Sequence, residues 1–397
     1  MRRRLGKFVG PIRSALAGIV LTALAACSPP PLHTDGRETG RIEIAPLKSY
    51  GTLQANILLS LAGVKGITAA YSIDCYRIVY SSSDENGKPI KLSGLLALPH
   101  GTPARGLVSF QHGTTSDRES VPSNLSTDGL AAAIVFAGNG FAAIAPDYDG
   151  LGISRRSHPY YVAADTARAV VDMIHAVRHI EGVPVSPPFL FGFSEGAFAD
   201  LAAQRALEAQ GETVLGDAAV SGAYDLRKIS LPFVLQGRSP NDSTYLALWV
   251  RGYAVRYGHP LDSAFTPRYA RLVPELFDTP HSVEDVIAAL PPDPRALFTP
   301  AALNALDGRG RHWLIDALAQ NGVNDWVARA PIRFYYSTGD VDVTPVESTT
   351  IERQMASRGA NVRAIDVGSG DHTEAILKAA PLVLEWLQTL PVATTAR

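Results

Sequence analysis

Across 397 residues the chain carries 36 Lys and Arg against 38 Asp and Glu, a formal net charge of −2, with 46% apolar residues and two cysteines. Nothing in that balance offers a polyanion-binding surface, so a nucleic-acid partner is not expected. Two cysteines cannot build a disulfide framework, while the length and apolar fraction suffice for one large core plus an insertion.

Arg2, Arg3, Arg4, Lys7 and Arg13 open the chain without an acid among them, and residues 14–26 are then apolar or small up to Cys27. That run is too short to cross a bilayer as a helix and suits the apolar core of a secretion signal. Leu24-Ala25-Ala26-Cys27 resembles the bacterial lipoprotein box. The resemblance implies cleavage before Cys27 and lipidation of that residue. With Ser28 next, it also implies a lipid-anchored place in the bacterial cell envelope, at the outer membrane where the host has one. A plain cleaved signal with an incidental cysteine, and an extracellular product, is the alternative. Losing residues 1–26 removes five of the 36 bases and none of the 38 acids, which leaves a net charge of −7. Cys75 would then be the one cysteine besides the lipidation candidate, and no intrachain disulfide is expected. Residues 27–45, with Pro29-Pro30-Pro31, read as a tether.

Beyond the tether, strands and helices alternate. Residues 51–64 read as a short amphipathic helix, and the runs 75–80 and 91–98 as a hairpin around Asp84-Glu85-Asn86-Gly87. Buried strands follow at 106–110 and 142–146, with a helix near 129–138 between them and a strong helix over 161–180 after them. Another strand is expected at 218–221. The pattern lapses from 227 to 329, where prolines, tyrosines and helix-like pieces replace any strand-like run. It resumes with a strand at 332–336, a helix at 346–358, a strand at 362–367 and a helix over 372–390. Such alternation implies right-handed crossovers and an α/β fold with a mostly parallel central sheet, helices on both faces and a helical cap insertion. The expected division is a signal over 1–26, a tether over 27–45, a core over 46–226 and 330–397, and a cap over 227–329.

Residues 188–200, PFLFGFSEGAFAD, carry the strongest chemical signal. An apolar strand runs into Gly192-Phe193-Ser194-Glu195-Gly196 and an alanine-rich helix follows, the strand–turn–helix setting in which a G-x-S-x-G sequence raises its serine above the sheet. Glycines beside the serine relieve the tight turn. The N–H of Glu195 then falls at a helix N-terminus, where unpaired donors can meet an anionic oxygen.

Several further stretches match a known pattern: 110–114 (FQHGT), 145–152 (APDYDGLG), His158-Pro159-Tyr160, Asn324-Asp325-Trp326 and 335–348. With the serine turn they make the chain resemble the α/β-hydrolases, and within them the secreted lipases and carboxylesterases that include fungal lipase A and bacterial relatives. The resemblance runs from about residue 70 to the C-terminus. It implies a nucleophile–acid–histidine order along the chain. Ser194 is the expected nucleophile. Of the histidines after it, His259, His281 and His312 fall in the cap, and His372 lies in a loop before the last helix, where the family places its base. Asp340 takes the acid's place when residues 339–348 are matched without a gap. Asp342 and Asp225 stay open as alternatives. The oxyanion donors are expected from Glu195 and from Thr114, with Gly113 permitting close approach. A carboxylate beside an oxyanion would oppose catalysis, so the Glu195 side chain should point away.

Competing chemistries lack their signatures: there is no HExxH, no P-loop and no GxGxxG. His175 and His179 are spaced for a metal on one helix face but have no third ligand in sequence, and no metal or cofactor is expected. Asp147 and Asp149 read as structural, and Trp249, Trp313 and Trp326 as packing aromatics or an acyl-pocket lining. The expected function is hydrolysis of carboxylic or lipid esters through Ser194, His372 and Asp340, on a small-molecule or lipid substrate. A peptidase, thioesterase or acyltransferase on the same residues, or a non-catalytic surface binding protein, are the alternatives. Oligomeric state is left open.

Overall fold

A computed structural model describes residues 28–36, 42–278 and 281–391. The expected signal over 1–26 and the lipidation candidate Cys27 lie outside the described residues. Among the described residues nine strands form one sheet: β1 Ile42–Tyr50, β2 Ile73–Ser83, β3 Pro89–Pro99, β4 Leu107–Gln111, β5 Ala142–Pro146, β6 Phe189–Phe193, β7 Gly216–Val220, β8 Ile332–Tyr336 and β9 Val362–Asp366. Their spatial order is β1-β2-β3-β5-β4-β6-β7-β8-β9. The first three strands and the β3–β5 junction pair antiparallel, and every pairing from β5 to β9 is parallel.

Helices α1 Thr52–Leu61, α2 Thr127–Ala137, α3 Ala163–Val177 and α4 Glu195–Ala209 belong to the first part of the chain. Between β7 and β8 run α5 Leu231–Val234, α6 Asp242–Tyr257, α7 Pro267–Asp278, α8 Val283–Ala289, α9 Pro300–Leu306 and α10 Trp313–Gln320, joined by shorter turns. α11 Pro345–Ala356 and α12 His372–Thr389 complete the fold. None of the helices in the described residues is long and apolar enough to cross a membrane.

The strand period of two divides the sheet's side chains between two apolar layers. Phe189, Phe191, Ala218 and Val220 pack with residues of α1, α2 and α12 on one face. Leu190 faces the other way, against α3 and α4. Parallel strands covered on both sides need continuous apolar runs, and β4, β5 and β7 are buried along their whole length. The helices between β7 and β8 share an apolar cluster with Phe198 and Leu201 of α4, through Trp249 and Tyr253 of α6 among others. Cys75 is buried and free.

The tether expectation for 27–45 requires correction. Ile42 to Ala45 are already β1, paired with β2. Ahead of them, Thr34 bridges Ile180, Asp35 N–H donates to the His179 carbonyl and the Tyr76 hydroxyl donates to the Pro30 carbonyl. Backbone bonds and a buried tyrosine thus hold residues 30–35 and 42–45 on the body, so these described parts of the expected tether are not a loose spacer. His175 and His179, spaced alike for a metal, pair instead with separate carboxylates, Glu212 and Asp35.

Candidate active site

The turn after β6 follows from its glycines. A Cβ on Gly192 would collide with the Gly196 carbonyl and the Asp200 carboxylate, and one on Gly196 with the Gln111 carbonyl at the end of β4. With both absent, α4 starts one residue after the strand and Ser194 takes φ 57°, ψ −117°. That is a left-handed position that costs a non-glycine residue on the order of 1–3 kcal/mol and is held by its surroundings. Ser194 N–H donates to the Val220 carbonyl at 2.9 Å, and the side chain makes no capping bond to α4. Glu195 is the first residue of α4, so its N–H has no carbonyl of its own helix behind it.

His372 opens α12, behind Asp371, which caps the helix through Glu374 N–H. Its imidazole lies 4.7 Å, centroid to centroid, from the ring of Phe193, the neighbour of Ser194. Nδ1 is 2.7 Å from Asp340 Oδ2. A carboxylate can only accept, so Nδ1 carries the proton and Nε2 of the neutral ring keeps its lone pair. That Nε2 is buried and has no hydrogen-bond partner among the described residues. The carboxylate is itself aimed: Asp340 Oδ1 accepts from the N–H groups of Asp342 and Val343, each at 2.9 Å. The Ser337 hydroxyl, donating to the Gly368 and Gly370 carbonyls, ties the loop after β8 to the loop before α12.

The three candidate acids thus have separate partners. Asp340 meets His372. Asp342 Oδ1 accepts from Ser239, Asn241 and Tyr245 at 2.9, 2.9 and 2.7 Å, at the start of α6. Burial opposes its charge, but the Asn241 amide, the proximity of His372 and the two hydroxyls outweigh burial and hold Asp342 below the usual carboxylate range. Asp225 caps the turn after β7 and accepts from Asn324.

The Glu195 side chain turns to a histidine from another loop. It is buried and 2.9 Å from His158 Nε2, while His158 Nδ1 lies 2.7 Å from the Asp149 carbonyl. Burial disfavours the imidazolium, yet the Glu195 carboxylate and the Asp149 carbonyl outweigh it and raise His158 above its ordinary value. Thr114 Oγ1 lies 2.7 Å from the Tyr160 hydroxyl, and the Tyr148 hydroxyl donates to the His112 carbonyl at 3.0 Å. Sequence reasoning missed these roles for His158 and Tyr160. The signal was a glutamate beside the serine in an apolar stretch, which needs a buried partner. Asp147 accepts from Ser93 and Ser123 and is structural.

No protein-family model matches the chain, and no curated protein matches it by sequence. Solved structures do. A Legionella pneumophila protein with a provisional hydrolase assignment is similar at 26% identity and TM-score 0.79, over 87% of this chain and 96% of its own. The rice cell wall degrading esterase LipA from Xanthomonas oryzae is similar at 21% identity and TM-score 0.75, over 88% and 97%. Candida antarctica lipase A in its closed state is similar at 12% identity and TM-score 0.63, over 90% and 84%. With the sheet order and the serine turn, these likenesses establish the α/β-hydrolase fold.

Proposed function

We propose that this chain, an α/β-hydrolase by fold, is a serine hydrolase of carboxylic esters, of the lipase or carboxylesterase type. The observation that carries the reading is the His372 imidazole: protonated towards Asp340 at 2.7 Å, buried and unpartnered at Nε2, and packed on the residue next to Ser194. In this reading Nε2 takes the Ser194 proton as the hydroxyl oxygen attacks the ester carbonyl. Asp340 stabilises the imidazolium that forms. The N–H groups of Glu195 and Thr114 hold the oxyanion, each worth on the order of 10²–10³ in rate. The imidazolium then protonates the leaving alcohol, and water deprotonated by the same nitrogen releases the acid.

Labelling with a fluorophosphonate probe and turnover of a p-nitrophenyl ester series test the proposal. Wild type should be labelled and active, and Ser194→Ala should be neither. An unlabelled wild type inert on every chain length would leave the binding-protein reading in its place. The proposal extends to location: the box ending at Cys27 supports a lipid anchor, and Cys27→Ala should move the protein from the membrane to the soluble fraction of a bacterial host.

A further inference from the structure

Resting on the ester-hydrolase reading, we propose that residues 158–160 are a brace that sets the separation of the two oxyanion donors. His158 holds the side chain of Glu195, whose N–H is one donor, at 2.9 Å, and Tyr160 holds that of Thr114, whose N–H is the other, at 2.7 Å. The donors lie about 80 residues apart in sequence, Thr114 in the loop after β4 and Glu195 at the start of α4 after β6. One tripeptide grips both.

The brace is rigid by construction. His158, Tyr160 and Glu195 are all buried. A Cβ on Gly150 would strike the backbone of His158, and one on Gly252 of α6 would lie 2.9 Å from Tyr160 N, so the segment is clamped between the 149–150 turn and α6. Tyr148 stacks on both His158 and His112, and its hydroxyl pins the His112 carbonyl two residues before Thr114. The pairing also answers the objection to a glutamate at this position. A carbonyl cannot donate, so His158 Nδ1–H is committed to Asp149, and the contact with Glu195 contains one proton whichever partner formally owns it. The pair therefore presents no net negative charge to the oxyanion. His158 and Tyr160 are positioning residues, since neither is assigned a contact with the ester.

The test compares Glu195→Gln, Glu195→Ala and Tyr160→Phe with wild type on p-nitrophenyl butyrate, reading kcat and KM separately. Glutamine can donate its amide to Nε2 of a neutral His158 while Nδ1–H stays on Asp149, so it should recover at least about fivefold of the kcat that alanine loses. Alanine leaves the ring unheld and should lower kcat by about 10–100-fold with KM within about twofold, short of the full loss of one donor. Removing the Tyr160 hydroxyl should lower kcat by about fivefold. The brace is overturned if Glu195→Ala keeps kcat within about threefold of wild type, or if Glu195→Gln falls as far as alanine. Should alanine fail to fold, Tyr160→Phe decides alone, and unchanged kcat overturns it. A wild type inert on esters overturns both this inference and the proposed function, whereas an active wild type with indifferent variants overturns only the brace.

Discussion

The residues on either side of Ser194 touch two histidine–carboxylate pairs, Phe193 packing on His372 and Glu195 bonding His158, and the pairs differ in one nitrogen. In one, His372 gives Nδ1 to Asp340 at 2.7 Å and keeps Nε2 unpartnered among the described residues. In the other, His158 gives Nδ1 to a carbonyl and Nε2 to Glu195 at 2.9 Å. Burial does not separate them, for the side chains are 12% and 1% exposed in the first pair and 6% and 1% in the second. Closure of the ring's second nitrogen does. An imidazole whose two nitrogens are both engaged can hold a shape but has no lone pair to take a proton from serine. A histidine beside a carboxylate is thus weak evidence of catalysis until the other nitrogen is accounted for.

The largest effect should fall on the open ring. His372→Gln is expected to lower kcat by about 10⁴–10⁶, near the floor set by Ser194→Ala, because nothing else can deprotonate the serine. His158→Gln should cost about 10–100-fold, the scale of a displaced donor rather than a lost base. Steady-state turnover of one ester by both variants checks this. Equal losses would dissolve the distinction between the open and the closed ring.

Next in size is the carboxylate behind each ring. Asp340→Asn should lower kcat by about 10³–10⁴, because an amide donates to Nδ1, forces the proton onto Nε2 and turns the base into a donor. In the closed pair the same change, Glu195→Gln, is expected to cost at most about tenfold. One chemical substitution at two histidines would separate a tautomer that matters from one that is replaceable. A severe loss in Glu195→Gln beside a mild one in Asp340→Asn would reverse the assignment.

How much of this was legible in the sequence depends on how far apart the partners lie. The serine turn and its strand are local, and the glycines that permit them are adjacent, so residues 189–196 could be read directly. Ala142–Pro146 and Ile332–Tyr336, apolar and bounded by turns, were equally plain. β1 was not. Its apolar alternation is interrupted at Pro46, where the pairing with β2 shifts register, and the stretch reads as a spacer until β2 is beside it. Asp340 and Asp342 are two residues apart, and motif position alone separated them. What distinguishes them physically is Ser239, Asn241 and Tyr245, about 100 residues upstream in sequence. The His158–Glu195 contact spans 37 residues and no periodicity announces it.

A buried carboxylate without a histidine sharpens the comparison further. Glu347 on α11 meets only donors: the N–H groups of Tyr224 and Asp225 on Oε2 and the Ser230 hydroxyl on Oε1. Burial pushes it from 4.5 up to about 7, against the pull of those donors. The folded state therefore favours the protonated form, and the unfolded chain releases that proton first. Stability from this group is greatest below pH 4.5 and declines as pH rises to about 7, by about 3 kcal/mol in all. Glu347→Gln keeps the acceptor and donates to Ser230, so it should remove this slope. Urea unfolding of both proteins at pH 5 and pH 8 measures it, and parallel slopes would show that Glu347 stays ionised.

The smallest expected effect is at Asp342, and it concerns the helices between β7 and β8 rather than the chemistry. All three of its side-chain bonds fall on one oxygen, and all come from residues at or near the start of α6. Asparagine can keep that oxygen as acceptor while losing the charge that strengthens each bond. Asp342→Asn should therefore cost about 1 kcal/mol of stability and change kcat by less than about fivefold. Because Asp340 and Asp342 follow the same strand, this variant is the control that gives Asp340→Asn its meaning. If Asp342→Asn produced the larger fall in turnover, the open ring would have to swing towards a different acid during the reaction, and the contact seen at 2.7 Å would be a resting arrangement.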